Sequence, residues 1–302
     1  MNHLLTIAQL TRIELEQLIE AGLAMKAARG KHLERPLANQ NWALIFAKSS
    51  TRTRVSFEVG VRELGGDVMF LSAGQLQLGR GEPIKDTARV LGRMIQGAVI
   101  RTYAQQDVEE FAHYAGIPTI NALTDQEHPC QIVADLVTIL EKRGSLEGMT
   151  VTFVGDGSCN VCRSWIYAAG KLGFELRIAS PGNYSPDPEC LRAAGAKLVC
   201  TEVLQEAMKD ADVVYTDVWV SMGQEEESER RIRELSSYQI NSKALQAARP
   251  DALVMHCLPA YRGKEIDEET LEAHALNIFD QAENRLHAQK AILAHLARSA
   301  SC

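Results

Sequence analysis

The feature that most constrains the fold is an alternation of short apolar runs with longer amphipathic segments, which extends along most of the chain. Apolar runs such as residues 42–47 and 150–154 have the length and composition of strands that are buried on both faces. Strands that alternate with helices form parallel sheets, because each crossover helix returns the chain to the same end of the sheet. The sequence therefore predicts an α/β fold with parallel strands.

One glycine-containing polar stretch at residues 143–148 interrupts the alternation and is the best candidate linker. A chain of 302 residues is long enough for two domains. We therefore expect two α/β domains, residues 1–146 and 147–281, each a parallel sheet flanked by helices. Strands are predicted near residues 42–47, 68–71, 98–100, 117–120, 150–154, 174–179, 197–200, 212–216, 252–257 and 276–279. Helices are predicted near residues 11–29, 55–64, 83–94, 107–115, 129–143, 161–172, 187–195, 202–209, 226–235, 241–248, 267–274 and 282–298. The inner face of the helix near 55–64 is expected to carry Val55, Phe57, Val59, Val61 and Leu64.

Composition excludes some classes of function. The net charge of −7 argues against a nucleic-acid partner, because binding to phosphate backbones needs a surplus of Lys and Arg. No apolar run is long enough to span a membrane, and the first residues lack a basic segment followed by an apolar core, so no signal peptide is expected. The seven cysteines are odd in number and scattered, which favours free thiols in a reducing cytoplasm.

Two arginines and three hydroxyl residues stand at a predicted strand-to-helix turn. The turn joins free backbone N–H groups to the positive end of the helix dipole, and arginine forks match phosphate oxygens. A capped helix start with solvated arginines is the alternative interpretation. Arginine opposes the dipole in a first helical turn, however, so the pair favours an anion site. The residues are Ser50, Thr51, Arg52, Thr53 and Arg54.

Four further residues lie where parallel sheets bind their ligands, near the carboxyl ends of predicted strands or at a helix start. Arg101 and Asp217 follow strands, His128 precedes a helix, and Cys257 ends a strand. Taken singly, Arg101 is better explained as a surface arginine, His128 as a capping histidine and Cys257 as a buried structural thiol. For Asp217 the alternative is a helix-capping loop. His256 adjoins Cys257, but neighbours on a strand point to opposite faces, so it is poorly placed to activate that thiol.

The turn after the strand at 150–154 is half of a dinucleotide-binding fingerprint. Gly155 and Gly157 are present, but Asn160 stands where the third glycine is required, and no acidic partner follows the next strand. An NAD site is therefore not favoured. Cys159 and Cys162 form a single Cys-x-x-Cys pair, for which coincidence is favoured over a metal or redox centre.

Six separated motifs resemble those of the aspartate/ornithine transcarbamoylase family, and the resemblance covers nearly the whole chain. The string Asp-x-x-x-Ser-Met-Gly is typical of the ornithine branch, whereas the aspartate branch needs basic residues for a second carboxylate. Residues 158–163 depart from the asparagine-rich form that is usual in the family. The motifs are Phe-Ala-Lys-Ser-Ser-Thr-Arg-Thr-Arg at 46–54, Ile-Arg-Thr-Tyr at 100–103, His-Pro-Cys-Gln at 128–131, Asp-Val-Trp-Val-Ser-Met-Gly at 217–223, His-Cys-Leu-Pro-Ala at 256–260 and Phe-Asp-Gln-Ala-Glu-Asn-Arg at 279–285.

The resemblance implies site residues for two substrates. Gln77 would reach the phosphate of a neighbouring subunit, so a homotrimer or a multiple of it is expected, and the C-terminal helix, 282–302, would pack back on the first domain. The residues implied in catalysis are Arg52, Arg101, His128 and Cys257. Those implied in binding carbamoyl phosphate are Ser50, Thr51, Arg52, Thr53, Gln77, Arg101, His128, Gln131, Leu258 and Arg285. Those implied in binding ornithine are Asn160, Asp217, Ser221, Met222 and Cys257.

As a member of this family, the chain would transfer the carbamoyl group of carbamoyl phosphate to the δ-amine of L-ornithine, giving L-citrulline and phosphate. Arginine biosynthesis is favoured over arginine catabolism, and neither a metal ion nor an organic cofactor is expected. A sister enzyme that uses putrescine or an N-acylated ornithine is the first alternative. The others are a nucleotide-dependent oxidoreductase at the Gly155 turn and a non-catalytic sensor of carbamoyl phosphate or ornithine.

Overall fold

The computed structural model describes residues 1–31, 34–72, 81–195, 197–220 and 225–299. The chain divides into two compact units, the first made of Met1–Val137 with Asn284–Cys302 and the second of Thr138–Glu283. Both divisions fall inside long helices. Among the residues that the structure describes, no helix is both long enough and apolar enough to cross a membrane.

The first unit is built on a four-stranded parallel sheet. Its strands are β1 (Asn41–Phe46), β2 (Asp67–Ser72), β3 (Gly97–Arg101) and β4 (Thr119–Leu123). Its helices are α1 (Arg12–Ala27), α2 (Thr51–Glu63), α3 (Ile84–Leu91), α4 (Gln105–Ala115) and the first part of α5 (Pro129–Arg143). The strand order is β2-β1-β3-β4. The central strands β1 and β3 are almost wholly buried, as expected for apolar runs covered by helices on both faces.

The second unit is built on a five-stranded parallel sheet with its own core. Its strands are β5 (Thr150–Val154), β6 (Glu175–Ala179), β7 (Lys197–Thr201), β8 (Val213–Thr216) and β9 (Leu253–His256). Its helices are α6 (Asn160–Leu172), α7 (Pro188–Ala194), α8 (Leu204–Met208), α9 (Ser228–Leu235), α10 (Ser242–Leu245), α11 (Glu268–Ala273) and the first part of α12 (Ala275–Ser299), with 3-10 turns at Gly182–Tyr184, Glu225–Glu227 and Ser236–Tyr238. The strand order is β7-β6-β5-β8-β9.

Each sheet has one place where the strand order reverses. In the first unit it lies between β1 and β3, and in the second between β5 and β8. The connections that leave the carboxyl ends of these strand pairs diverge, and open parallel sheets bind ligands in the crevice between them. The segments that follow Phe46, Arg101, Val154 and Thr216 are therefore the ones where a ligand is expected to bind each unit.

The last part of α12 packs on the first unit, which confirms that prediction. Lys290 Nζ lies 2.6 Å from Glu63 Oε2 near the end of α2. A Cβ added at Gly60, in the middle of α2, would lie 3.3 Å from Lys290 Cγ, so the two helices approach closely at this glycine. The predicted two-domain fold of helix-flanked parallel sheets is also confirmed.

Three details of the sequence prediction are wrong. The strand expected near 276–279 is the first part of α12, in which Ile278 is buried while Leu276 is 73% and Phe279 54% exposed. A run of four residues with three apolar side chains fits a strand or a helix equally well, which explains the error. Val55, expected on the inner face of α2, is exposed. The fourth strand begins at Thr119 rather than at residue 117, and Pro118, which has no N–H, precedes it.

Candidate active site

The turn after β1 is a capped helix start. Ser50 is the N-cap of α2: its Oγ accepts the backbone N–H of Thr53 at 3.3 Å and lies 2.9 Å from Thr53 Oγ1. The first N–H groups of α2 have no acceptor within the helix, and the helix dipole makes this end positive. Thr51 and Arg52 form the first turn, and both are at least partly exposed. The turn therefore has the donors that an anion needs.

The two arginines of this turn differ in their surroundings. Arg54 is exposed, its Nε lies 2.7 Å from Glu58 Oε1, and its guanidinium stacks 3.9 Å from the centre of the Phe70 ring. The Arg54 hydrogen bond is the largest cause of the lowered pKa of Glu58. Arg54 is thus engaged on the surface of the unit. The capped-helix interpretation consequently holds for Ser50 and Arg54, and Arg52 is the arginine that remains a ligand candidate.

Lys48 also lies in the turn after β1, and sequence reasoning missed it. Its side chain is buried, forms an ion pair with Asp125, and lies over the ring of Tyr103, 4.2 Å from the centroid. Asp125 follows β4 and Tyr103 follows β3. Lys48 therefore links the loops that follow β1, β3 and β4 at the carboxyl edge of the sheet. Its charge is partly neutralised by Asp125, which favours a supporting role.

Two buried arginines lie at the same edge of the first unit. Arg101 is the last residue of β3, and Arg285 comes from α12. Arg285 donates a 2.7 Å hydrogen bond to Thr53 Oγ1, so it reaches the turn after β1 from a position 232 residues further along the chain. Two guanidinium groups are costly to bury unless they meet negative charge. Their placement at the switch point makes this edge suited to an anionic ligand.

His128 is influenced by the positive charges of both arginines. It precedes α5 and is almost fully buried. Its pKa lies well below the ordinary value, first because burial disfavours the charged imidazolium and then because Arg285 and Arg101 are both positive. The imidazole is therefore neutral at physiological pH. A neutral ring carries one N–H donor and can polarise a carbonyl group without adding a third positive charge.

Gln131 extends this cluster along α5. Its Nε2 donates to Asp135 Oδ1 at 2.8 Å, and both side chains are fully buried. Within the part of the chain that the structure describes, Gln131 Oε1 is buried and accepts no hydrogen bond. Buried amide oxygens nearly always have a donor, so this atom is suited to accept one from a ligand. Sequence reasoning missed Asp135, although its i, i+4 spacing from Gln131 was a usable signal.

In the second unit, a thiol caps the helix after β5. Gly155 adopts a φ of 122°, and the Sγ of Cys159 accepts the backbone N–H of Cys162 at 3.4 Å. Cys159 is the N-cap of α6 and Asn160 is its first residue. Burial raises the pKa of both thiols, so both are protonated and unreactive. Cys159 of the Cys-x-x-Cys pair thus serves as a helix cap, a role normally filled by Ser, Thr, Asn or Asp.

Asp217 and Cys257 form a buried pair at the ends of β8 and β9. These strands are paired, with Thr216 opposite His256, so the next residue of each strand meets the other. Cys257 Sγ donates to Asp217 Oδ1 at 2.9 Å, and the backbone N–H of Val218 donates to the same oxygen at 2.7 Å. Burial raises the pKa of Asp217. A cationic group would offset the desolvation of this carboxylate, so the pair is suited to an ammonium ligand.

His256 does not activate Cys257, as expected for neighbours on one strand. Its Nδ1 lies 2.9 Å from the backbone nitrogen of Leu258, and its Nε2 lies 3.2 Å from Glu265 Oε1. The hydrogen bonds of both ring nitrogens are thus directed away from the thiol. Among the described residues, the ligand atoms of Asp217, His256 and Cys257 lie within 4.8 Å of one another, but these hydrogen bonds already engage them. The set does not present three free metal ligands.

Three predicted site residues lie outside the described part of the chain. They are Gln77, Ser221 and Met222. The others are divided between the two units. The first unit holds Ser50, Thr51, Arg52, Thr53, Arg101, His128, Gln131 and Arg285, and the second holds Asn160, Asp217, Cys257 and Leu258.

Comparison with known proteins bears on both units. A family model described as the carbamoyl-P binding domain of aspartate/ornithine carbamoyltransferase matches residues 2–141, and one described as its Asp/Orn binding domain matches residues 147–296. The ornithine carbamoyltransferase of Akkermansia muciniphila is 58% identical over 300 residues, which cover 98% of each chain. That of Nitrosococcus oceani is 49% identical over 296 residues, 97% of each chain.

Solved structures agree with these relatives. The anabolic ornithine carbamoyltransferase of Campylobacter jejuni superposes with a TM-score of 0.94 at 44% identity, over 99% of this chain and 100% of that one. The ornithine carbamoyltransferase of Pyrococcus furiosus gives a TM-score of 0.92 at 44% identity, over 97% and 96%. The chain therefore belongs to the aspartate/ornithine carbamoyltransferase family and is a carbamoyl-group transferase.

Proposed function

We propose that the enzyme transfers the carbamoyl group of carbamoyl phosphate to the δ-amine of L-ornithine, giving L-citrulline and phosphate. The observation that carries this proposal is the buried group formed by Arg101, Arg285 and neutral His128. Such a group meets the two needs of a carbamoyl phosphate site, which are cations for the phosphate and a neutral donor for the carbonyl. The names of the similar proteins support ornithine as the acceptor.

Carbamoyl phosphate binds the first domain, residues 1–146 with the C-terminal helix 282–302. The phosphate accepts hydrogen bonds from the start of α2 and from guanidinium forks, which bind it bidentately. Gln77 of a neighbouring subunit completes the phosphate site. The ligands of the phosphate in this proposal are Ser50, Thr51, Arg52, Thr53, Gln77, Arg101 and Arg285.

His128 and Gln131 bind the carbamoyl group. The N–H of the neutral imidazole donates to the carbonyl oxygen, and Gln131 Oε1 accepts from the carbamoyl NH₂ group. Leu258 contacts the same group through its backbone carbonyl. Because charge develops on the carbonyl oxygen during attack, the His128 donor stabilises the transition state more than the bound substrate.

Ornithine binds the second domain, residues 147–281. Asp217 and Ser221 hold the α-ammonium group, while Asn160 and the backbone around Met222 hold the α-carboxylate. Cys257 lies against the ornithine side chain and holds Asp217 through its thiol hydrogen bond. The raised pKa of Asp217 supports this assignment, because an ammonium group would restore the stability of the ionised carboxylate.

The reaction joins the neutral δ-nitrogen to the carbamoyl carbon. A tetrahedral intermediate forms, the bond between this carbon and the bridging phosphate oxygen breaks, and the phosphate leaves with one proton from the amine. Carbamoyl phosphate is already activated, so the proposed step requires no metal ion or organic cofactor. Orientation of the two substrates and electrostatic stabilisation of the oxyanion supply the rate acceleration.

The proposal extends to role, location and assembly. The anabolic enzyme of Campylobacter jejuni supports a role in arginine biosynthesis. The six cysteines of the described chain are free thiols, which suits the cytoplasm. A homotrimer, or a multiple of it, is proposed because Gln77 would serve a neighbouring site.

Mixed assemblies of Gln77→Ala subunits and Arg101→Ala subunits should regain activity, because some of their sites combine an intact Gln77 with an intact Arg101. Proven subunit exchange between impaired parents without recovery would contradict a shared site.

An amine panel tests the reaction itself. Formation of the carbamoylated amine, which is citrulline when ornithine is the acceptor, is measured from carbamoyl phosphate with ornithine, putrescine, acetylornithine and aspartate, without added cofactor. Ornithine should be preferred over putrescine and acetylornithine by roughly ten thousand-fold in kcat/KM, because a site built for charged groups rejects analogues that lack them. Aspartate should fail because its extra carboxylate would meet Asp217 rather than a cation. Preference for putrescine or acetylornithine would establish the sister-enzyme alternative. No turnover of any amine would overturn the proposed reaction.

A further inference from the structure

The strongest unexplained feature of the second unit is a fully buried His–Glu pair beside the proposed ornithine residues. His256 is the last residue of β9, and Glu265 lies in the connection between β9 and α11. Both side chains have no exposed surface, and His256 Nε2 lies 3.2 Å from Glu265 Oε1. A buried carboxylate is costly unless it is paired and hydrogen-bonded, so its presence here calls for a physical role.

The pair holds the loop after β9 at two points. The backbone N–H of Leu258 donates to His256 Nδ1 at 2.9 Å. The backbone N–H of Tyr261 donates to Glu265 Oε1 at 2.6 Å. The strand end is held as well, because the backbone N–H of His256 donates to the buried Gln281 Oε1 at 2.9 Å. The segment from Cys257 to Tyr261 is therefore fastened by side chains rather than by a regular strand or helix.

These contacts determine the tautomer of His256. Nδ1 accepts the N–H of Leu258 and so carries no proton. The ring proton is on Nε2, where it donates to Glu265. Glu265 thereby keeps the imidazole in the one neutral form that presents an acceptor to Leu258.

The backbone of Leu258 needs this support. Its φ is 57°, a left-handed conformation that residues with a side chain rarely adopt. Such a conformation persists only where the surrounding structure over-determines it, and it is concentrated at functional sites. The acceptor on His256 supplies that constraint at the residue that follows Cys257.

We propose that His256 and Glu265 are positioning residues, which fix the backbone of Leu258 and the thiol of Cys257 for reaction without touching substrate. This inference rests on the proposed roles of Leu258 and Cys257. The Glu265 carboxylate sets the His256 tautomer, the imidazole sets the conformation of Leu258, and Leu258 directs its carbonyl at the carbamoyl group. Misplacement of a reacting group by about 1 Å costs on the order of a hundred-fold in rate.

Two pairs of matched variants test the inference. His256→Asn places an amide oxygen near the position of Nδ1 and keeps an acceptor for Leu258, whereas His256→Gln places its amide near Nε2 and loses that acceptor. Glu265→Gln keeps an acceptor for His256 and Tyr261, whereas Glu265→Leu removes it. We expect kcat to fall about ten- to a hundred-fold in His256→Gln and Glu265→Leu, and less than about five-fold in the other two.

Two measurements separate positioning from simple stabilisation. The dissociation constant of carbamoyl phosphate should stay within about three-fold in all four folded variants, because the phosphate ligands lie in the first domain. In the unmodified enzyme, the ¹⁵N shifts of His256 should show an unprotonated Nδ1 and a protonated Nε2. The amide of Leu258 should exchange faster in His256→Gln than in His256→Asn.

The outcomes are distinguishable. Equal kcat in His256→Gln and His256→Asn, or wild-type kcat in folded Glu265→Leu, would overturn the positioning role while citrulline formation by the wild type leaves the proposed function standing. An Nδ1-protonated His256 would overturn it as well. If the wild type forms no citrulline but the tautomer and exchange results are as expected, the proposed function falls and the His256–Glu265 support of Leu258 stands.

Discussion

The two switch points of this protein share an architecture and differ in electrostatic sign. In the first unit, the carboxyl edge of the sheet carries Arg101 and Arg285 around a neutral His128. In the second, the corresponding edge carries a carboxylate, Asp217, held by the thiol of Cys257. Burial lowers the pKa of His128 and raises the pKa of Asp217, so in each case it favours the neutral form of the side chain. One type of scaffold thus carries buried guanidinium groups in one unit and a buried carboxylate in the other, which is the difference expected between an anion site and a cation site.

The largest expected effect tests the anion site by comparing the two arginines of one turn. Arg52→Ala should weaken carbamoyl phosphate binding by about 3 kcal/mol, the size expected for losing charge-assisted hydrogen bonds. Arg54→Ala should change it by less than about 0.5 kcal/mol, because Arg54 is engaged by Glu58 and Phe70. Calorimetric titration of the two folded variants measures both. Equal effects of the two substitutions would contradict the assignment of Arg52 as a phosphate ligand and of Arg54 as a surface residue.

The next largest effect tests the cation site. Asp217→Asn keeps the shape of the side chain and an acceptor for Cys257 but removes the charge. We expect kcat/KM for ornithine to fall by about 2 kcal/mol, roughly thirty-fold, because a hydrogen bond to a charged group becomes a neutral one. Carbamoyl phosphate affinity of the same variant serves as the control and should not change. A wild-type kcat/KM in Asp217→Asn would contradict the proposal that the Asp217 carboxylate binds the ammonium group of ornithine.

A difference in pH dependence should separate the two sites. The attacking amine must be neutral and has an ordinary pKa near that of lysine, so activity at low ornithine should rise about ten-fold from pH 7 to pH 8. His128 has a lowered pKa and is already neutral in this range, so carbamoyl phosphate affinity should be nearly constant. Initial rates and binding titrations give the two profiles. A flat rate profile with chemistry shown to be rate-limiting would contradict attack by the neutral amine.

The smallest expected effect concerns the thiol cap of α6. Cys159→Ser supplies a stronger acceptor for the backbone N–H of Cys162 and should stabilise the protein by about 0.5–1 kcal/mol. Cys200→Ser, at an exposed position of β7, is the matched control and should change stability by less than about 0.5 kcal/mol. Thermal unfolding measures both changes. A loss of stability in Cys159→Ser would show that packing of the sulfur outweighs its hydrogen bond.

Sequence analysis predicted the alternation of strands and helices well, because fully buried strands such as β1 are continuous apolar runs. It failed where a short apolar segment fits the two-residue period of a strand and the 3.6-residue period of a helix equally well, as at residues 276–279. The turn at Ser50 was predictable from local chemistry. Arg285 was implied only by family resemblance, and its contact with Thr53, which spans 232 residues, was not predicted. Glu265 was missed because a buried acidic residue with no partner at helical spacing is indistinguishable in sequence from a solvated one, whereas Asp135 could have been found from its spacing to Gln131.

The contact between Arg285 and Thr53 has a consequence for the biogenesis of the enzyme. The first unit consists of two separate pieces of chain, and the whole second unit is synthesised between them. The second unit is continuous and can fold as soon as it has left the ribosome, since domains generally fold as units during synthesis. The first unit must wait for the end of α12, so the proposed carbamoyl phosphate site should be completed last, although most of its proposed ligands are translated first.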